Sequence, residues 1–77
     1  MYYVYVLRNK KTEEIYYGYT DNIERRFKKH NINQEWKVVY YEAYLSEKDA
    51  RNRERKLKDY GQSRAHLKNR LNDSLRL

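Results

Sequence analysis

The sequence predicts an α+β domain with helices packed on a small sheet, its elements running β-β-α-β-α-α. Three observations support this. The stretches MYYVYVLRN, IYYGY and WKVVYYEAYL concentrate β-branched and aromatic residues, as strands do. Between and after them lie segments opened by capping residues and patterned with apolar side chains at helical spacing. No linker, internal repeat or low-complexity run interrupts the 77 residues, so residues 1–77 read as a single domain around one core.

Alternation in the first strand places Tyr3, Tyr5 and Leu7 on one face and Tyr2, Val4 and Val6 on the other. Both faces are largely apolar, which predicts a strand inside the sheet with a layer on each side. RNKKTEE is a polar turn, short enough to join this strand to IYYGY as an antiparallel hairpin. Gly18 in the second strand marks a bulge or a point of close approach. Thr20 or Asp21 caps the helix that follows, Glu24 completes a capping box with Asp21, and Asn31 stops the helix after His30. Ile23, Phe27 and His30 form its inward stripe. After the third strand, Ser46 and Asp49 form a second capping box. That helix should end near Tyr60, with Gly61 as its left-handed stop. A last helix starts around Ser63 and carries Leu67, Leu71 and Leu75 on one face.

Eighteen Lys and Arg against eleven Asp and Glu give a net charge of +7, and the basic residues cluster in RNKK, RRFKK and RNRERKLK. A clustered positive field points to a polyanion, and to nucleic acid first. The absence of cysteine excludes disulfides and thiolate metal sites and fits a reducing, cytoplasmic setting. No apolar run is long enough for a signal segment or a span, so no membrane partner is expected.

Glu54 is the most informative single residue. With Ala50 and Leu57 it falls on an inward helical stripe, where a carboxylate needs a cationic partner or a metal ion. Arg51, Arg53 and Arg55 are at hand as partners. The other reading is a hard divalent cation, which takes few carboxylates and completes its shell with water and phosphate. Arg26 and His30 share a helix face: the first suits a forked grip on phosphate, the second proton transfer near neutral pH. Taken singly, they equally fit an exposed helix charge and a half-buried ring. Tyr5 and Tyr16 stand on adjacent strands, as packing residues or as chemistry. A tyrosine acting as base near pH 7 needs its pKa lowered by ~2.5 units, ~3.4 kcal/mol of preferential stabilisation of the phenolate.

Together these positions form a pattern. YVY (Tyr3 to Tyr5), ten residues, YYG (Tyr16 to Gly18), then Thr20, Arg26 and His30 resemble the signature of the GIY-YIG endonuclease superfamily. The run YYVYVL, YYGYT, a basic helix, VYYEAY and ARNRERKLK resembles its small stand-alone bacterial members across essentially the whole chain. The resemblance implies a three-stranded antiparallel sheet flanked by three helices, and hydrolysis of a phosphodiester with one divalent cation, Mg²⁺ or Mn²⁺. It assigns Tyr5 and Tyr16 as the signature tyrosines, with Tyr5 favoured as base and Tyr16 orienting water or phosphate. It assigns Arg26 to the phosphate, His30 to the position one turn later, and Glu54 to the metal. Arg8, Lys10, Arg25, Lys28, Lys29 and Arg53 are the expected nucleic-acid contacts.

The first motif carries Tyr3 and Val4 where the signature has Gly and Ile, and the second carries Tyr17 in its middle. NINQE, between His30 and Trp36, is shorter than the link usual in related proteins. No segment reads a particular base sequence, so the expected substrate is DNA cut with little sequence specificity, with RNA an open alternative. Two rival readings stand beside the nuclease. One is a nucleic-acid-binding module that keeps the fold without turnover, and the other an interaction protein that dimerises through the leucine face of the last helix.

Overall fold

A computed structural model describes residues 1–30 and 35–77. Residues 31–34 and the His30 side chain, and with them the Asn31 helix stop and most of NINQE, lie outside the described residues. Strands β1 (Tyr2–Asn9) and β2 (Ile15–Thr20) precede helix α1 (Ile23–His30), and strand β3 (Trp36–Tyr44) precedes helices α2 (Glu47–Asp59) and α3 (Gly61–Arg70). A short 3₁₀ turn, Ser74–Arg76, closes the chain. All strand pairs are antiparallel and the order is β2-β1-β3, which makes the apolar first strand the central one.

Alternation in β1 decides what each face of the sheet does. Val4 and Val6 are fully buried with Ala50 and Leu57 of α2 and with Leu67 and Leu71. Full burial of Leu57 contributes about 1.5–3 kcal/mol. Tyr2, Ile15, Tyr17, Tyr19, Tyr40 and Tyr44 extend this core with rings and aliphatic side chains. Leu67 and Leu71, with Leu75 packed beside them, are therefore committed to the chain's own core and unavailable as a dimer face. The other face of β1 presents Tyr3, Tyr5 and Leu7, and across the strands Tyr5 lies opposite Gly18 on one side and Tyr41 on the other.

Several local expectations are corrected. The cap of α1 is Asn22, whose side-chain oxygen accepts from the Arg25 N–H at 3.0 Å. Thr20 instead folds a tight turn by accepting from the Asn22 N–H, and Asp21 pairs with Arg25. Ser46 caps α2 as expected, accepting from the Asp49 N–H. Gly61 does not adopt a left-handed conformation but opens α3, while Tyr60 breaks the two helices apart with extended backbone. The last carbonyls of α2 are satisfied by Arg64, which donates to Leu57 and Lys58 oxygens at 2.9 and 2.7 Å. The sheet irregularity falls between Val6 and Leu7 in the β1–β3 ladder, where Val39 is the extra residue, and not at Gly18. The hairpin turn is organised by the buried side chain of Asn9, which accepts from the N–H groups of Lys11 and Thr12.

Candidate active site

Tyr5 is buried at the middle of the central strand, and its ring crosses over Gly18 of β2. A Cβ at Gly18 would lie 2.8 Å from Tyr5 Cε2 and closer still to Cζ and the hydroxyl. Glycine is required here because an aromatic ring occupies the space above the strand, and the backbone angle itself would admit other residues. The crossing carries the Tyr5 hydroxyl toward β2 and Tyr16, whose ring centroid lies 6.1 Å from that of Tyr5 at a 36° tilt. Tyr16 is in turn held edge-on by Trp36 of β3, 6.5 Å away.

Two charged residues act on this tyrosine pair from different helices. The Arg26 guanidinium of α1 and the Glu54 carboxylate of α2 both contribute to the field at Tyr5. Burial is the largest influence and, with the neighbouring Tyr16, pushes the Tyr5 phenol up to about 12. Arg26 pulls it down, whereas a hydrogen bond to Tyr16 and the charge of Glu54 push it further up. Four of the five predicted catalytic residues are thus brought into one electrostatic neighbourhood. The fifth, His30, lies on α1 one turn after Arg26, with its side chain outside the described residues.

Arg26 is exposed, and with Arg25 and Lys29 it lines a concavity of about 230 Å³. Guanidinium forks and an ammonium around one hollow have the chemistry that suits a phosphate group. Glu54 is one-quarter exposed at its side chain, and its ion-pair partner among the described residues is Lys58, at 3.6 Å. The arginines flanking Glu54 are engaged elsewhere: Arg51 with Glu47, Arg53 with Glu42, and Arg55 with Asn52. Their commitment leaves the Glu54 carboxylate lightly held and partly open to solvent. Among the described residues no three acidic or histidine side chains converge. A single partly exposed carboxylate that acts on the same tyrosine as Arg26 is nonetheless a donor that suits a hard cation such as Mg²⁺, which takes few protein carboxylates. The residues are compatible with such a cation, and Glu54 is the carboxylate that would hold it.

The remaining predicted contacts divide. Arg25, Lys28 and Lys29 are exposed on α1, Arg25 in an ion pair with Asp21. Lys10 projects from the hairpin turn. Arg8 stands on the Val4–Val6 side of β1, pairs with Glu13 at 3.1 Å, and lines a groove with Lys68 and Arg76, away from the tyrosine pair. Arg53 makes a two-pronged bond to Glu42, at 3.0 Å from both its Nε to Oε1 and its Nη2 to Oε2. Burial alone would push Glu42 up, but hydrogen bonds from Arg53, Tyr44 and Tyr40 outweigh it and lower its pKa. Arg53 is therefore occupied in holding β3 to α2. A second such link escaped the sequence reading: Tyr19 donates to Glu47 at 2.7 Å while Arg51 stacks over the Tyr19 ring at 4.5 Å.

Residues 1–72 match the model of the GIY-YIG catalytic domain, and the chain belongs to that family. A GIY-YIG domain is a nuclease-type domain. Among curated proteins the chain is similar to a UPF0213 protein of Clostridium perfringens, 36% identical over an alignment covering 70% of this chain and 67% of the relative. No solved structure matches. No helix among the described residues is long and apolar enough to cross a membrane.

Proposed function

We propose that this chain is a divalent-cation-dependent endonuclease that hydrolyses phosphodiester bonds of nucleic acid, DNA foremost, with little sequence specificity. The observation that carries the reading is that Tyr16, Arg26 and Glu54, from one strand and two helices, all act on buried Tyr5, while Arg26 also lines a cationic hollow. Arg26, with Arg25 and Lys29 around it, grips the non-bridging oxygens of the scissile phosphate and stabilises the charge that grows there in the transition state. A water oxygen attacks phosphorus and one P–O ester bond breaks. The water's proton needs a phenolate to accept it, and burial raises the Tyr5 phenol to about 12, against the lowering expected of a base. The charges of Arg26 and of a cation on Glu54 would have to bring it down before Tyr5 accepts that proton. Tyr16, with its ring centroid 6.1 Å from that of Tyr5, orients the water or the phosphate. Glu54 would hold a divalent cation, Mg²⁺ or Mn²⁺, which would supply charge neutralisation at the leaving oxygen and offset the negative charge that Tyr5 feels from Glu54. His30, one turn after Arg26 in the sequence, is proposed to serve the same reaction.

Specificity follows from what the site lacks and what it exposes. Phosphate contacts from Arg25, Lys28 and Lys29 carry no sequence information. Tyr41, opposite Tyr5 across the β1–β3 ladder and 56% exposed, offers a face on which an unpaired base beside the scissile phosphate can stack. Single-stranded or locally opened substrates are therefore favoured.

Labelled single-stranded DNA, duplex DNA and single-stranded RNA, incubated at low salt with Mg²⁺ or Mn²⁺ and with chelator, test the reading. Internal cleavage that requires the cation and is fastest on single strands is expected. Salt-sensitive binding without cleavage under either cation would assign the chain to the binding-module reading instead.

A further inference from the structure

Lys58 is a cation that the mechanism above leaves unused. It follows Glu54 by four residues on α2, so the two side chains lie on one face of the helix. Its Nζ is 3.6 Å from Glu54 Oε2, close enough to attract yet long for a hydrogen bond, and 5.8 Å from the centroid of the Tyr16 ring. The ammonium thus bridges the carboxylate and one of the two site tyrosines, with about half of its side chain in solvent. The neighbouring cations of α2 have partners outside this corner: Arg51 on Glu47, Arg53 on Glu42, Arg55 on Asn52. Lys58 is also anchored at its backbone, since its carbonyl accepts from Arg64, while its four-carbon stem remains free to swing.

We propose that Lys58 is a substrate-positioning cation held in reserve by Glu54: a divalent cation arriving at Glu54 displaces the ammonium, which then takes a phosphate oxygen of the bound strand. This rests on the reading of Glu54 as the cation's ligand. Two positive groups on one carboxylate repel each other, so the arrangement favours exchange over sharing. The released ammonium needs to move only a few ångströms, because the tyrosine it already overlies belongs to the reaction site. The consequence is a coupling in which the cation that neutralises Glu54 also arms a phosphate ligand, so cation and strand bind cooperatively.

The test begins with Mn²⁺ binding to the protein without nucleic acid, followed by the paramagnetic resonance of free Mn²⁺. The proteins compared are the wild type, Lys58→Met, Lys58→Arg and Glu54→Gln. Lys58→Met should bind Mn²⁺ roughly three- to tenfold more tightly than wild type, because the internal competitor and its repulsion are gone. Lys58→Arg should restore wild-type affinity, and Glu54→Gln should lose the site. A second readout is the affinity for a labelled single-stranded oligonucleotide, measured in Ca²⁺ and in chelator. Lys58→Met should weaken it roughly fivefold in Ca²⁺ and leave it unchanged in chelator. Unaltered or weaker Mn²⁺ binding by Lys58→Met, with the site lost in Glu54→Gln, overturns the role of Lys58 alone. Equal loss of oligonucleotide affinity in both conditions, or no loss in either, also overturns it. Wild-type Mn²⁺ affinity in Glu54→Gln would bring down the assignment of Glu54 and this proposal together.

Discussion

Gly18→Ala isolates the contact on which the site geometry depends. The backbone at Gly18 does not use the left-handed region, so alanine meets no conformational penalty there. What it meets is the Tyr5 ring, at 2.8 Å for Cε2 and less for Cζ and the hydroxyl. A ring buried to this degree cannot yield by rotating a flexible end; it must move as a body away from β2. Overpacking of this kind costs about 1–3 kcal/mol. Restricting the unfolded chain by replacing glycine returns about 0.4–1 kcal/mol. A net loss of about 1–2 kcal/mol follows, which for a domain of this size lowers Tm by about 5–15 °C. Thermal unfolding followed by circular dichroism reads this directly, and a double-mutant cycle assigns its cause. In a Tyr5→Leu background, whose side chain does not reach across β2, Gly18→Ala should be neutral or slightly stabilising. The expected coupling is about 1–2 kcal/mol. An equal cost in both backgrounds, or a stabilised Gly18→Ala single variant, would refute the placement of the ring.

Three further outcomes are expected. Arg53→Ala should destabilise the fold by about 2–3 kcal/mol in urea unfolding, because Glu42 keeps its charge in a largely buried place without its main partner. The same variant should leave the salt dependence of nucleic-acid binding unchanged, since Arg53 is spent on Glu42. Tyr5 is held protonated in the fold up to about 12 against an ordinary 10, so its contribution is intact below pH 10 and lost as pH rises toward 12. That loss amounts to about 2.7 kcal/mol, and Tyr5→Phe should flatten this part of the stability–pH curve. Tyr41→Ala should weaken binding to a single-stranded oligonucleotide by about 1–3 kcal/mol while leaving duplex binding and Tm nearly unchanged.

Much of this molecule is legible in its sequence because the informative features are local. β-Branched and tyrosine-rich runs announced all three strands, and the two apolar faces of Tyr2–Leu7 placed that strand at the centre of the sheet. Ser46 announced the start of α2 because a cap acts within three residues. Where competing local signals stood side by side, pattern could not choose: Thr20, Asp21 and Asn22 all suit a cap, and the turn made by Thr20 gives the position to Asn22. Gly61 resembled a helix stop, but Arg64 reaches back to serve the last carbonyls of α2 and removes the need for one. Glycine at position 18 signalled close approach, yet only the strand register shows that Tyr5 is what approaches. The links between Tyr19 and Glu47 and between Arg53 and Glu42 join residues 28 and 11 positions apart, beyond any local pattern. Those links also explain why Glu54, amid three arginines, is left to Lys58.

The most direct test of the central claim compares single-turnover cleavage of a labelled single-stranded oligonucleotide in Mn²⁺ by the wild type, Glu54→Gln and Glu13→Gln. Glu54→Gln preserves size and polarity at a partly exposed position, so its fold should be intact by circular dichroism. Loss of about a hundredfold or more in rate, with Glu13→Gln at the wild-type rate, is the predicted result. Cleavage by Glu54→Gln at the wild-type rate would contradict the account.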